Sequence, residues 1–185
     1  MLDYSNNTTI EVALQEYFSR YNLGDGGYTN KTYDLSVFGL FSIPVPNTKG
    51  HVAAVKLHDI HHILTNIDAN LPGESEIGAW EIASGCGTYY IAWILNLGSF
   101  SYGIFLWPSR VMKAFMSGCD SKNLYHGTPY DAKLLSQTVG ELRTQLHISN
   151  EVHYSTMRFI RFGFFAIVSL LPVLIVVGVG IAFLY

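Results

Sequence analysis

Between Phe162 and Tyr185 the chain carries no charged side chain and consists almost wholly of Phe, Ile, Val, Leu, Ala and Gly. The run exceeds the roughly 20 residues that span a bilayer core, so a transmembrane helix is expected there. Pro172 and the Gly178/Gly180 pair are compatible with it, because such residues are better tolerated in membrane helices than in soluble ones. Arg158 and Arg161 precede the run and no charge follows it, so the positive-inside bias places the preceding residues on the cytoplasmic face. The expected organisation is one domain at 1–157 and a C-terminal anchor at 158–185.

A second charge-free stretch, Ile82 to Ser109, contains Gly85, Gly87, Asn96, Gly98 and Gly103, and only Tyr89 to Trp107 is dense in large apolar side chains. Crossing a bilayer there would bury Asn96 and two glycines among lipid. A buried or interfacial helix ended by Pro108 costs less, and this is the expected reading.

A chain of 185 residues suits one domain with its own core. The net charge of -3, with no Lys/Arg cluster interleaved with aromatics, leaves no electrostatic footprint for nucleic acid. Cys86 and Cys119 lack metal-type spacing and the N-terminus is polar, which suits reduced thiols facing the cytoplasm.

The expected fold is mainly α: a single helical domain with a small N-terminal β-hairpin, plus the C-terminal membrane helix. Thr9 can cap a first helix whose apolar positions Ile10, Leu14, Tyr17, Phe18 and Tyr21 recur at helical spacing, with a stop at Asn22-Leu23-Gly24. Tyr33, Leu35 and Val37 alternate with polar residues, and Leu40 to Ile43 follow Gly39, predicting a hairpin ended by Pro44 and Pro46. Helices are then expected over Val52–Asn66, about Glu74–Ser84 with Pro72 in a first turn, Val111–Met116, and Asp131–Leu146.

The chemistry concentrates on two of these helices. Residues four apart on a helix differ by about 40° in azimuth and residues three apart by about 60°, so His58, Asp59 and His62 form one patch. His61 falls on the far side of His58 from Asp59 and is the least suited of the clustered histidines to join it. On the next helix Glu74, Gly78 and Glu81 share a face while Glu76 points away. Glu74 is therefore a candidate further ligand and Glu81 a candidate supporting partner. Two imidazoles with one or two carboxylates suit a divalent metal, zinc, iron, cobalt or manganese, and Asp59 is either a ligand or an orienting group. The competing reading is a solvated, hydrogen-bonded helix face. His51, one or two turns earlier, either assists the patch or lies at the surface. His126, His147 and His153 have no partner at ligand spacing.

His58-Asp59-Ile60-His61-His62 followed after eleven residues by Glu74 resembles the HDxxH-x11-E signature of the coenzyme Q biosynthesis protein 4 family. Pro46-Asn47-Thr48, Ile63-Leu64-Thr65 and Gly73-Glu74-Ser75-Glu76-Ile77-Gly78-Ala79-Trp80-Glu81 are similar to its bacterial members, and the likeness covers about Tyr17 to Leu142. The C-terminal membrane helix departs from the generally peripheral family pattern. The resemblance implies a mainly helical protein; with the orientation of the anchor, the expected location is the cytoplasmic face of a bacterial inner membrane. It would bind a divalent metal through His58, Asp59, His62 and Glu74, together with a polyprenylated ring intermediate of ubiquinone synthesis. The implied reaction is oxidative decarboxylation, replacing a ring carboxylate by a hydroxyl. It also implies membrane lipid and other quinone-biosynthesis proteins as partners, with a homodimer as one arrangement. Trp93 and its aromatic neighbours from Tyr89 to Trp107 suit an isoprenoid tunnel as well as ordinary core packing. Arg110 suits a ring carboxylate or headgroup as well as a membrane-surface cation. Two other functions are compatible with the same residues: a non-catalytic lipid-binding scaffold, and a phosphohydrolase built on the His58-Asp59 pair with Asp120 or Asp131 as its late ligand.

Overall fold

Side-chain caps and glycine turns set most of the element boundaries. The computed structural model describes residues 3–37, 41–149 and 151–182, mainly as helices with one small antiparallel sheet. Helix α1 (Ile10–Tyr21) begins where the Thr9 side chain accepts the Val12 amide and ends at Asn22, which adopts the left-handed conformation. Strands β1 (Thr32–Val37) and β2 (Phe41–Pro46) pair in the register Thr32 with Pro46 and Val37 with Phe41. The hairpin ends at Pro46, as expected, but the strand runs through both prolines instead of stopping before them. Pro44 and Pro46 are two residues apart and so share one phase of the ladder, in which the missing amides can face away from β1. Gly39 and Leu40, expected at the turn, lie outside the described residues.

Helix α2 (Lys49–Thr65) starts three residues before the expected Val52, because the Thr48 side chain accepts the His51 amide. His51 thereby joins its first turn. At its other end Asn66 is left-handed, and the Arg143 guanidinium donates to the carbonyls of Ile63 and Leu64 and to Oδ1 of Asn66. Helix α3 (Leu71–Ser84) is capped by Asn70, with Pro72 in the first turn where its lost amide costs nothing. Gly85 and Gly87, at φ 92° and 52°, then turn the chain into α4 (Tyr90–Leu106), and Pro108 opens α5 (Pro108–Gly118).

The charge-free stretch is thus a helix end, a glycine turn and a packed helix. Ala92, Asn96, Phe100 and Ser101 of α4 are buried. A Cβ added at Gly103 would lie 2.5 Å from Cβ of Ser75, and one at Gly78 3.2 Å from the Asn96 carbonyl oxygen, so α3 and α4 approach closely through their glycines. The helix expected over Asp131–Leu146 is two, α6 (Ala132–Ser136) and α7 (Val139–Gln145). Thr138 and Glu141 form a capping box that starts α7 afresh. The extended link is held by the N-terminal segment, since Ile10 N–H donates to the Gln137 carbonyl and Val139 N–H to that of Thr8.

Helix α8 (Thr156–Ala182) closes the fold. Two apolar clusters form the core. One gathers Ile10, Tyr17, Leu57, Ile60, Leu64 and Leu142, and the other Ile77, Trp80, Phe100, Val111 and Phe115. Phe162, Phe165 and Ala166 of α8 pack against the second cluster, while Met157, Ile160, Phe164, Ile167 and Leu171 form an exposed stripe at three- and four-residue spacing. Arg158 and Arg161, the cations before the expected anchor, bind the domain. Arg158 pairs with Asp120, and Arg161 donates to the Ala83 carbonyl at 3.0 Å. Among the described residues no helix is long and apolar enough to cross a membrane. The expected span from 172 onward lies outside the residues whose side chains are described.

Candidate metal centre

The site forms where α2 meets α3, between the two apolar clusters. His58 and His62 are one turn apart on α2, and their Nε2 atoms face each other at 3.1 Å. Glu74, in the first turn of α3, places one carboxylate oxygen 3.4 Å from Nε2 of His58 and the other 3.3 Å from Nε2 of His62. One ligand atom from each of the three lies within 4.8 Å of the others, so His58, His62 and Glu74 form a group that could hold a metal ion.

The atoms behind this group decide what the imidazoles can do. Nδ1 of His62 donates to the Ile67 carbonyl at 3.0 Å, and Nδ1 of His58 donates to Glu81 at 3.0 Å. With each Nδ1 carrying its hydrogen, the neutral rings point bare Nε2 lone pairs at one another and at a carboxylate. Such an arrangement repels itself unless a cation sits in it, and outer acceptors of this kind are what orient histidines as ligands. When no ion is bound, a proton does the same work. Burial opposes a charge on His58, but the Glu81 and Glu74 carboxylates hold its pKa well above the ordinary histidine value.

Glu81 is completely buried and fully engaged. Its Oε1 accepts from Nδ1 of His58 and of His61, and its Oε2 accepts from Asn96 Nδ2 and from the Tyr125 hydroxyl at 3.1 Å. Burial alone would raise its pKa, yet His58 and His61 hold it far below the usual carboxylate range. Glu74 behaves alike for the same reason, with His62 and His58 as its partners. His61 bridges Glu81 to the Leu124 amide, which donates to its Nε2 at 3.0 Å, so both ring nitrogens are used away from the metal group.

Asp59 is buried beside the group but outside the set of three. Its Oδ2 accepts from the Tyr28 hydroxyl at 2.6 Å, and burial lifts its pKa to about 6. Tyr28 is seated by the glycine-rich loop after α1: a Cβ on Gly26 would lie 2.8 Å from its ring. Lys56 lies over the rings of Tyr28 and Tyr130, at 5.2 and 4.8 Å from their centroids.

A cavity of about 770 Å³ opens beside the group. His58, Asp59 and Glu74 line one part of it. The lining is otherwise mostly apolar and includes Val52, Val55 and Leu95, with Tyr102 and Ser169 of α8. Two residues expected to meet a ligand lie elsewhere. Trp93 donates to the Gly87 carbonyl and stacks on Phe165, and Arg110 pairs with Glu76. Neither belongs to the described lining, because the face of α4 that carries Trp93 packs towards α8 and the Arg110 guanidinium is taken by α3. Of the late carboxylates a phosphohydrolase would require, Asp120 is held by Arg158 and Asp131 caps α6.

Sequence reasoning overlooked Tyr28, Asn96, Tyr125 and the buried position of His51. Only Asn96 left a signal, as a lone amide within a long apolar run. The chain matches no family model, no curated protein and no solved structure, so the chemistry of the centre rests on its geometry.

Proposed function

We propose that the chain is a membrane-bound, divalent-metal protein of the coenzyme Q biosynthesis protein 4 type, acting on a polyprenylated ring intermediate of ubiquinone synthesis. The observation that carries the reading is the convergence of two bare Nε2 atoms and Glu74 beside a largely apolar cavity that His58 and Glu74 line. His58, His62 and Glu74 would hold the ion, and Asp59, fixed by Tyr28, would orient groups around it. A bound divalent ion supplies Lewis-acid polarisation of an anionic ring oxygen and, where redox-active, access to oxygen chemistry. The protein supplies the rest: Glu81 holds the His58 ring in one tautomer, and the apolar walls exclude water and accept the isoprenoid chain. The reaction class is oxidative decarboxylation: the ring carboxylate leaves as carbon dioxide, a hydroxyl from water enters at the same carbon, and dioxygen takes up the two electrons as hydrogen peroxide.

The anchor belongs to the same proposal. The exposed stripe of α8 continues into an uncharged run to Tyr185, which supports seating α8 in the lipid with the metal centre on the cytoplasmic side. Ser169 of α8 lines the cavity, so a prenylated substrate would reach the centre along this helix.

Elemental analysis of detergent-purified protein, with mass spectrometry of co-purified lipid, tests this directly. The expected result is about one divalent metal per chain, lost in Glu74→Ala and His62→Ala together with ring modification. A scaffold would keep quinone synthesis in both variants, and that outcome would end the enzymatic reading.

A further inference from the structure

His51 is 7% exposed and lines the cavity, yet the metal group does not use it. Its ring is fixed on two sides. The Tyr33 ring of β1 stacks on it at 3.6 Å between centroids and 8° between planes. Nδ1 of His51 lies 2.7 Å from Oδ1 of Asn47. The tautomer follows from Asn47, whose Nδ2 donates to the carbonyls of Gly27 and Asn30, at 3.0 Å each. With its amino group committed, Asn47 can offer His51 only its oxygen, so Nδ1 of His51 carries the hydrogen. Nε2 is then a bare acceptor and the ring atom left to the cavity. Burial, with some help from His58, lowers the His51 pKa and keeps the ring neutral.

The position matters as much as the tautomer. His51 and His58 are seven residues apart on α2, so they share a face, about 20° apart in azimuth and about 10 Å apart along the axis. Between them the cavity wall is Val52, Ala54 and Val55. Along this face of α2 the cavity therefore meets a cation-binding group and a hydrogen-bond acceptor with apolar side chains between them.

We propose that Nε2 of His51 recognises a ligand hydroxyl, so that the cavity selects an apolar alcohol or phenol over the same molecule without the donor. This rests on the reading of the cavity as the ligand site.

The test uses the full-length, zinc-loaded protein in detergent micelles, with para-nonylphenol and its methyl ether as probes and calorimetric titration as readout. The wild type is expected to bind the phenol about tenfold tighter than the ether, the worth of one net hydrogen bond. His51→Asn keeps a donor towards Asn47 but has no atom at the Nε2 position, and should bind both probes equally. His51→Gln offers an acceptor there and should recover part of the preference. Zinc content equal to wild type shows that each variant is folded. Equal binding of both probes by the wild type, or an undiminished preference in His51→Asn, overturns the role of His51 and leaves the cavity reading intact. If neither probe binds the zinc-loaded wild type, the cavity reading falls and the role of His51 with it.

Discussion

Glu81 is the residue on which the centre turns, although no ion would touch it. It collects four donors within a dry interior, so replacing one oxygen by an amide sets a donor against a donor. Glu81→Gln should cost on the order of 1–3 kcal/mol for each buried partner left without an acceptor. It should also weaken zinc binding about 10–100-fold by releasing the His58 ring. Denaturant melts and competition with a chelator of known affinity would show both effects; a variant with native zinc affinity would mean that Glu81 is only a core residue. His58, His62 and Glu74 were legible because helical phase and an eleven-residue gap are local quantities. The supporting shell was not, since Asn96, Tyr125 and Tyr28 arrive from sequence positions 15, 44 and 31 residues away from their partners. At the surface, the Arg158 guanidinium holds the Asp120 carboxyl below the usual range. A depressed carboxylate contributes stability that is fully present above its unfolded pKa of about 3.9 and fades as pH falls through the lower folded value. The stability difference between wild type and Asp120→Asn should therefore shrink as the pH falls below about 4. A difference that grows on acidification would show the pair to be misassigned.

Among the elements, α3 bears the closest contacts. Besides its approach to α4, it meets α5 at Gly118, where an added Cβ would lie 2.4 Å from the Trp80 carbonyl oxygen and 2.9 Å from Cβ of Ala83. Backbone cannot rotate out of the way as a side-chain tip can. Gly118→Ala should thus separate α5 from α3 at a cost of about 1–3 kcal/mol, with Trp80 fluorescence reporting the shift. An unchanged melting midpoint would show that the interface can breathe. These tight crossings were hidden in the sequence, where glycines in an apolar run read as obstacles to spanning rather than as contact points. Caps were easier to read: Thr9 and Pro72 announced their helices with local chemistry alone. The Thr138–Glu141 box is equally local, but apolar periodicity on both sides of it masked the break between α6 and α7. The early start of α2 at Lys49, capped by Thr48, was missed as well, and with it the place of His51 in the first turn beside the cavity.

At the scale of the whole molecule, α8 has two faces: one packs on the second apolar cluster and the other is exposed. Phe162 and Phe165 pack on Phe115, at ring-centroid distances of 5.3 and 6.0 Å, and Phe162 also meets Phe100. Both rings are partly buried, so removing either should cost less than the about 3–5 kcal/mol of a fully buried Phe, yet still a sizeable part of the about 5–15 kcal/mol that stabilises an ordinary domain. The outward stripe from Met157 to Leu171 is exposed, an apolar surface of the kind that meets lipid or a partner. Packing and the proposed seating in lipid separate along the chain. A protein ending after Leu171 keeps the packed half of α8, so it should still melt cooperatively and bind zinc, yet be extracted from membranes by alkaline carbonate. One ending after Ser155 uncovers Phe100 and Phe115 and should fail to give a cooperative melt. The full chain should resist carbonate and yield only to detergent. If the chain ending after Ser155 melts like the full protein, α8 is an anchor alone. If the chain ending after Leu171 still resists carbonate, membrane attachment resides in the stripe rather than in the terminal run.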